Sequence, residues 1–152
     1  MKYLAAAFAF ASVALAPMAH AAPADDYRDL RDEVWEWTLD NSPMTATQIG
    51  DRRGDGKLGD MSLARYEASI AETRAFLARL EAIDEAALPE DLRIDHAILK
   101  RSFEDEIAGA EFDHDRFVVF TNRGGWFAYF GSLPYGSPLF TLADYQSYVG
   151  RL

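Results

Sequence analysis

Residues 62–80 read SLARYEASIAETRAFLARL, and within them Leu63, Tyr66, Ile70, Thr73, Leu77 and Leu80 recur at alternating spacings of three and four. That period lines one face of an α-helix over five turns, whereas a strand would repeat every second residue. Ser62 stands just ahead of the pattern, where a side-chain oxygen can accept from the first orphan N–H groups and cap the helix. This stretch sets the fold class, because the segments on either side follow the same rule.

Downstream, Asp84–Glu90 is a short connector, and Pro89 suits a first helical position, where its missing N–H would be unpaired anyway. A helix is expected from about Pro89 to Ala108, burying Leu92, Leu99, Phe103 and Ile107 and ending at Gly109. Two helices joined so briefly should lie antiparallel. Upstream, Tyr27, Leu30, Val34 and Trp37 mark a helix from Asp25 to near Asp40, with Asp25 and Asp26 at its electropositive start. Asn41-Ser42-Pro43 breaks it, since a residue before proline avoids helical geometry. A helical turn through Ala46 to Ile49 follows, and the Gly- and Asp-rich run Gly50–Asp60 reads as an exposed loop.

Beyond Ala110 the character changes. Phe117–Phe120 is β-prone, and Gly131, Pro134, Gly136 and Pro138 keep an aromatic-rich segment irregular. Thr141 and Asp144 then form a capping box ahead of a last helix with Leu142, Tyr145 and Val149 on one side. That helix reaches Leu152 with no glycine stop or proline, so it reads as truncated. The expected class is mainly α: antiparallel helices, an irregular aromatic segment and a truncated C-terminal helix. A chain of this kind should expose the apolar side of its last helix.

The first 21 residues read as a secretory signal peptide, with Lys2, an apolar stretch from Leu4 to Leu15 and the cleavage site Ala19-His20-Ala21. Cleavage would leave a protein starting at Ala22, exported to the periplasm or secreted. Its apolar run, broken at Pro17, is shorter than the ~20 residues that span a bilayer, and no later run is long enough. No integral membrane segment is therefore expected after signal removal.

The formal net charge is -10, and the signal contains one lysine and no acid. Such a surface repels phosphate backbones, and the arginines are dispersed among acids, which argues against nucleic acid as a partner. Cysteine is absent, which removes disulfides, thiolate metal sites and a cysteine nucleophile.

Few constellations suggest chemistry. The run from Asp51 superficially fits a calcium loop, but Arg53 stands at its third position and Ser62 at its twelfth, where oxygen ligands are required. Asp113-His114-Asp115 reads as a polar surface turn, and His96, beside Asp95 and flanked by Ile94 and Ile98, as a structural histidine. Glu104, Asp105 and Glu106 are consecutive, so they diverge around a helix instead of converging as an acid and base. There is no G-x-S-x-G elbow, and Gly124-Gly125 belongs to no phosphate loop. Trp126, Phe127 and Tyr129 are the candidate cleft-lining residues, with ordinary core packing as the simpler reading.

A family resemblance goes further. Pro43-Met44-Thr45-Ala46-Thr47, Gly50-Asp51, Asp60-Met61-Ser62, Arg79-Leu80, Ile83-Asp84, Leu88-Pro89, Arg93-Ile94-Asp95, Asp144-Tyr145 and Arg151-Leu152 occur in an order and spacing that resemble the bacterial domain of unknown function 885. The resemblance implies a longer, largely helical, often exported protein similar to zinc metallopeptidases of the carboxypeptidase-like kind. Residues 22–152 would be its helical N-terminal portion. It also implies zinc and a peptide substrate for the full-length parent, with the metal held by a downstream His-Glu motif. This sequence has no His-Glu pair, so the resemblance transfers no catalytic, cofactor-binding or metal residue to it. The chain alone is expected to be inactive. The competing reading is a non-catalytic periplasmic helical binding or interaction module; a glycosidase finds no pair of acids singled out.

Overall fold

The computed structural model describes residues 22–112, 131 and 133–152. Among these residues the secondary structure is entirely helical: α1 (Pro23–Asn41), α2 (Pro43–Gln48), α3 (Leu63–Glu81), α4 (Glu90–Glu111) and α5 (Leu142–Arg151), with 3-10 turns at Arg52–Gly54, Glu85–Ala87 and Leu133–Gly136. The β-prone run Phe117–Phe120 and most of the aromatic segment lie outside the described residues.

Helix α3 begins as its sequence dictates, with the Ser62 hydroxyl accepting from the Arg65 N–H at 3.2 Å. Its buried side is Ile70, Thr73, Phe76 and Leu80. Leu63 is exposed and Leu77 only partly buried, because Phe76 takes the central inward position. Its larger ring fills the space between three helices, packing edge-on to Trp37 at 5.5 Å and stacked on Phe103 at 6.2 Å.

Helices α3 and α4 are antiparallel. Leu80 meets His96, Phe76 meets Phe103 and Arg74 approaches Glu111, so the partners advance in opposite directions along the two helices. The α4 boundaries differ from expectation at both ends. Pro89 is the N-cap, in extended geometry, and not the first helical residue. Gly109 does not stop the helix, which continues to Glu111. A glycine ends a helix by adopting a left-handed conformation, and Gly109 keeps an ordinary helical one. His96 takes a core position on α4, while Leu99 and Ile107 sit nearer the edge of its buried stripe.

Helix α1 completes a three-helix bundle. Tyr27, Leu30 and Val34 join Phe76, Leu80, Leu88, Leu92 and Phe103 in one core, against which Trp37 and Leu99 pack partly buried. Trp37 stays at the rim because its indole N–H donates to Glu72 at 2.7 Å. Around the rim, Arg79 binds Glu33, and Arg65 pairs with Glu72. Both arrangements hold the carboxylates' pKa values below normal.

The run Gly50–Asp60 departs from the expected exposed loop in one respect. Most of it is exposed, but Gly54 and Asp55 are buried where the 3-10 turn packs against α2. A Cβ at Gly54 would lie 2.0 Å from the Pro43 carbonyl oxygen, so only glycine permits this approach.

Leu80 is fully buried and Ile98 is exposed on the far side of α4. Leu80→Ala should therefore cost about 2–5 kcal/mol, while Ile98→Ala should change stability by less than about 0.5 kcal/mol. Urea unfolding followed by circular dichroism measures both.

Candidate functional site

The buried ionisable side chains outside the bundle core converge where α5 meets α2 and the 52–55 turn. Asp144, the third residue of α5, completes the capping box: Thr141 Oγ1 accepts from the Asp144 N–H at 3.3 Å, and Asp144 Oδ2 accepts from the Thr141 N–H at 2.8 Å and the Phe140 N–H at 3.0 Å. Its other oxygen binds the Arg52 guanidinium, which also pairs with Asp55. The hydrogen bond from the Arg52 guanidinium, helped by donors at Thr141 and Phe140, lowers the Asp144 pKa to about 2.

Two turns later Arg151 points the same way, because seven residues bring a helix back to the same face. Its guanidinium is buried, donating to Thr47 Oγ1 and the Gly54 carbonyl at 2.8 Å each and to Ser137 Oγ at 3.1 Å. No carboxylate is within ion-pair distance of it among the described residues, and its Nε is buried without a hydrogen-bond partner. Four segments distant in sequence, α2, the 52–55 turn, the 133–137 turn and α5, thus share one polar clasp. Arg53, next to the clasp, ties the loop to α1 through Glu36 at 2.7 Å and Asp40 at 3.1 Å.

The clasp turns α5 inside out relative to an ordinary amphipathic helix. Asp144 and Arg151 are buried, with Ser147 and Tyr148 half-buried between them. Leu142, Tyr145, Val149 and Leu152 are 75, 52, 67 and 66 % exposed. The three residues expected on one side of this helix do share a side, and it faces solvent.

The other sequence candidates carry less. Trp126, Phe127 and Tyr129, like Asp113-His114-Asp115, lie outside the described residues. His96 is buried in the bundle, its Nε2 3.1 Å from the Leu80 carbonyl and its ring 5.7 Å from Tyr27, so the nitrogen facing the carbonyl acts as donor. Among the described residues, its Nδ1 and Thr73 Oγ1 are buried without hydrogen-bond partners. Burial first, then the neighbouring Asp95, raises the Tyr27 pKa. Glu104 and Asp105 form ion pairs with Lys100 and Arg101 along α4, as a solvated face should. An open groove of about 650 Å³ runs between the start of α1 and the end of α3, with Asp26, Asp29 and Asp84 on its walls and Arg79 beside them.

No three His, Asp or Glu side chains among the described residues are arranged to hold a metal ion. A zinc site does not fit them: His96, the one described histidine, is turned towards a backbone carbonyl in an apolar core.

Residues 43–152 match the family described as "Bacterial protein of unknown function (DUF885)". The chain belongs to this family. The matched region contains every clasp residue, and Asp144 and Arg151, two of the residues that carry the resemblance in sequence, are the buried pair of α5. No protein of curated function and no solved structure matches the chain. Sequence reading missed the roles of Thr47, Arg52, Asp55 and Arg151. The available signal was the seven-residue spacing of Asp144 and Arg151 opposite an apolar stripe.

Arg151→Met should destabilise the protein by about 2–4 kcal/mol, since it leaves the Thr47 and Gly54 acceptors unpaired inside, measurable by urea unfolding. Because the folded-state pKa of Asp144 lies below its ordinary 3.8, its contribution is fully present above pH ~4 and is lost as pH falls through about 2. Hydrogen-exchange protection of α5 amides should accordingly hold from pH 7 to ~4 and fall below that, and Asp144→Asn should abolish this titration.

Proposed function

We propose that this chain is the helical N-terminal portion of an exported, peptidase-like hydrolase, in which it serves as scaffold while zinc and peptide are held by polypeptide outside these residues. The observation that carries the scaffold role is how the buried charges are used: Asp55 and Asp144 meet on Arg52, and Arg151 ties α5 to α2. These groups hold helix to helix, which leaves none of them poised as a nucleophile, general base or metal ligand. The peptidase-like assignment is supported by the family resemblance, and export by the leader-like first 21 residues.

In the parent, Trp126, Phe127 and Tyr129 would line the substrate cleft. Replacing Trp126 by Ala should raise KM for a peptide substrate without lowering the thermal midpoint.

The reading is tested on the 152-residue chain and its longer gene product together. The short chain should retain no stoichiometric zinc and cleave no peptide, whereas the longer product should do both and lose cleavage on chelation. Stoichiometric zinc with peptide cleavage in the short chain, or a metal-free and inactive longer product, would refute it. N-terminal sequencing of the exported protein should begin at Ala22; retention of Met1 would overturn the export assignment.

A further inference from the structure

The outward side of α5 is the least accounted-for surface of the described structure. Leu142, Tyr145, Val149 and Leu152 follow spacings of three, four and three, the seam into which a second helix packs its own ridge. The helix is not merely frayed with its apolar residues adrift. Its orientation is set from behind by the capping box, by Arg52 on Asp144 and by the three bonds of the Arg151 guanidinium. Both ionised groups of α5 are turned inward, and the residues around the stripe, Ala143, Gln146 and Gly150, are uncharged. The side chains of the stripe are therefore fixed in orientation and uncharged.

We propose that this stripe is the seat of an aliphatic helix face belonging to the catalytic portion of the same polypeptide, an inference that rests on the reading of the chain as part of a larger hydrolase. The chemistry of the occupant follows from the stripe. An ionised side chain placed against it would be desolvated with no counter-charge to meet, so the contacting face is aliphatic or aromatic.

Size and charge favour a tethered occupant over a second copy. Four partly exposed side chains present on the order of 500 Å², below the roughly 800 Å² per partner of a stable association between separate chains. A covalently connected segment meets the stripe at an effective concentration near millimolar, where so small a contact suffices. Two copies of a chain with net charge -10 must also overcome their mutual repulsion.

These 152 residues contain no cysteine, so one introduced among them is read out in its own peptide. Val149→Cys nearly preserves side-chain volume and lies outside the clasp, so both the 152-residue chain and its longer gene product should fold with it. Maleimide labelling at position 149, read by peptide mass spectrometry, should be fast in the short chain and at least 100-fold slower in the native longer product. Rapid labelling in a longer product that is otherwise active would overturn this inference and leave the hydrolase reading standing. A longer product that labels slowly but holds no metal and cleaves no peptide would sink the hydrolase reading while leaving the seat in place. Should the short chain instead form a disulfide-linked dimer through position 149 and show twice its mass in light scattering, the stripe would belong to a second copy and the inference would fall.

Discussion

A guanidinium that is buried without a carboxylate among the described residues organises the second half of the described structure. Moving Arg151 out of water costs several kcal/mol unless its N–H groups find acceptors. It meets three, one each from α2, the 52–55 turn and the 133–137 turn. Because all three acceptors are neutral, the arrangement depends on hydrogen-bond geometry and not on long-range attraction, which makes it directional. It fixes where α5 sits and also how it is rotated. The closeness of Gly54 to Pro43 belongs to the same constraint, since the carbonyl that accepts from Arg151 is carried on a turn pressed against α2.

The other half is held differently. α1, α3 and α4 enclose an apolar core stitched by aromatic contacts, with Trp37, Phe76 and Phe103 in series and Tyr27 against His96. The ion pairs around it are mostly half-exposed, so each contributes at most about 1 kcal/mol. Their larger effect is to place opposite charges at helix boundaries on a strongly acidic surface, limiting self-repulsion where the helices meet. The result is an apolar bundle joined to a polar clasp. Among the described residues, the clasp leaves the apolar side of α5 exposed and fixed in orientation.

Much of the bundle was legible in the sequence. The three-four spacing in α1 and α3 placed Tyr27, Leu30, Val34, Ile70, Thr73 and Leu80 inside, and local chemistry placed the Ser62 cap and the Thr141–Asp144 capping box. Phe76 was not legible as the centre of the core, because Leu77 fits the period equally well and only the shape of the space between helices favours the ring. Nor was the end of α4, since a glycine has the freedom to stop a helix without being required to.

The sequence by itself determined the class of structure, the Ser62 cap, the Thr141–Asp144 capping box and family membership, because periodicity, capping and ordered motifs are local properties of the chain. It also showed that α5 has an apolar and a polar side. Because that helix reads as truncated, its apolar side is already expected to be exposed; what holds the polar side inward was supplied by tertiary structure. The burial of Arg151 depends on acceptors at Thr47, Gly54 and Ser137, which are far apart along the chain and become a single site only when folding brings α2 and its following turn against α5. Periodicity read locally gives a helix two sides without a reason to bury the polar one; a sufficient set of buried hydrogen bonds, assembled over long range, supplied that reason.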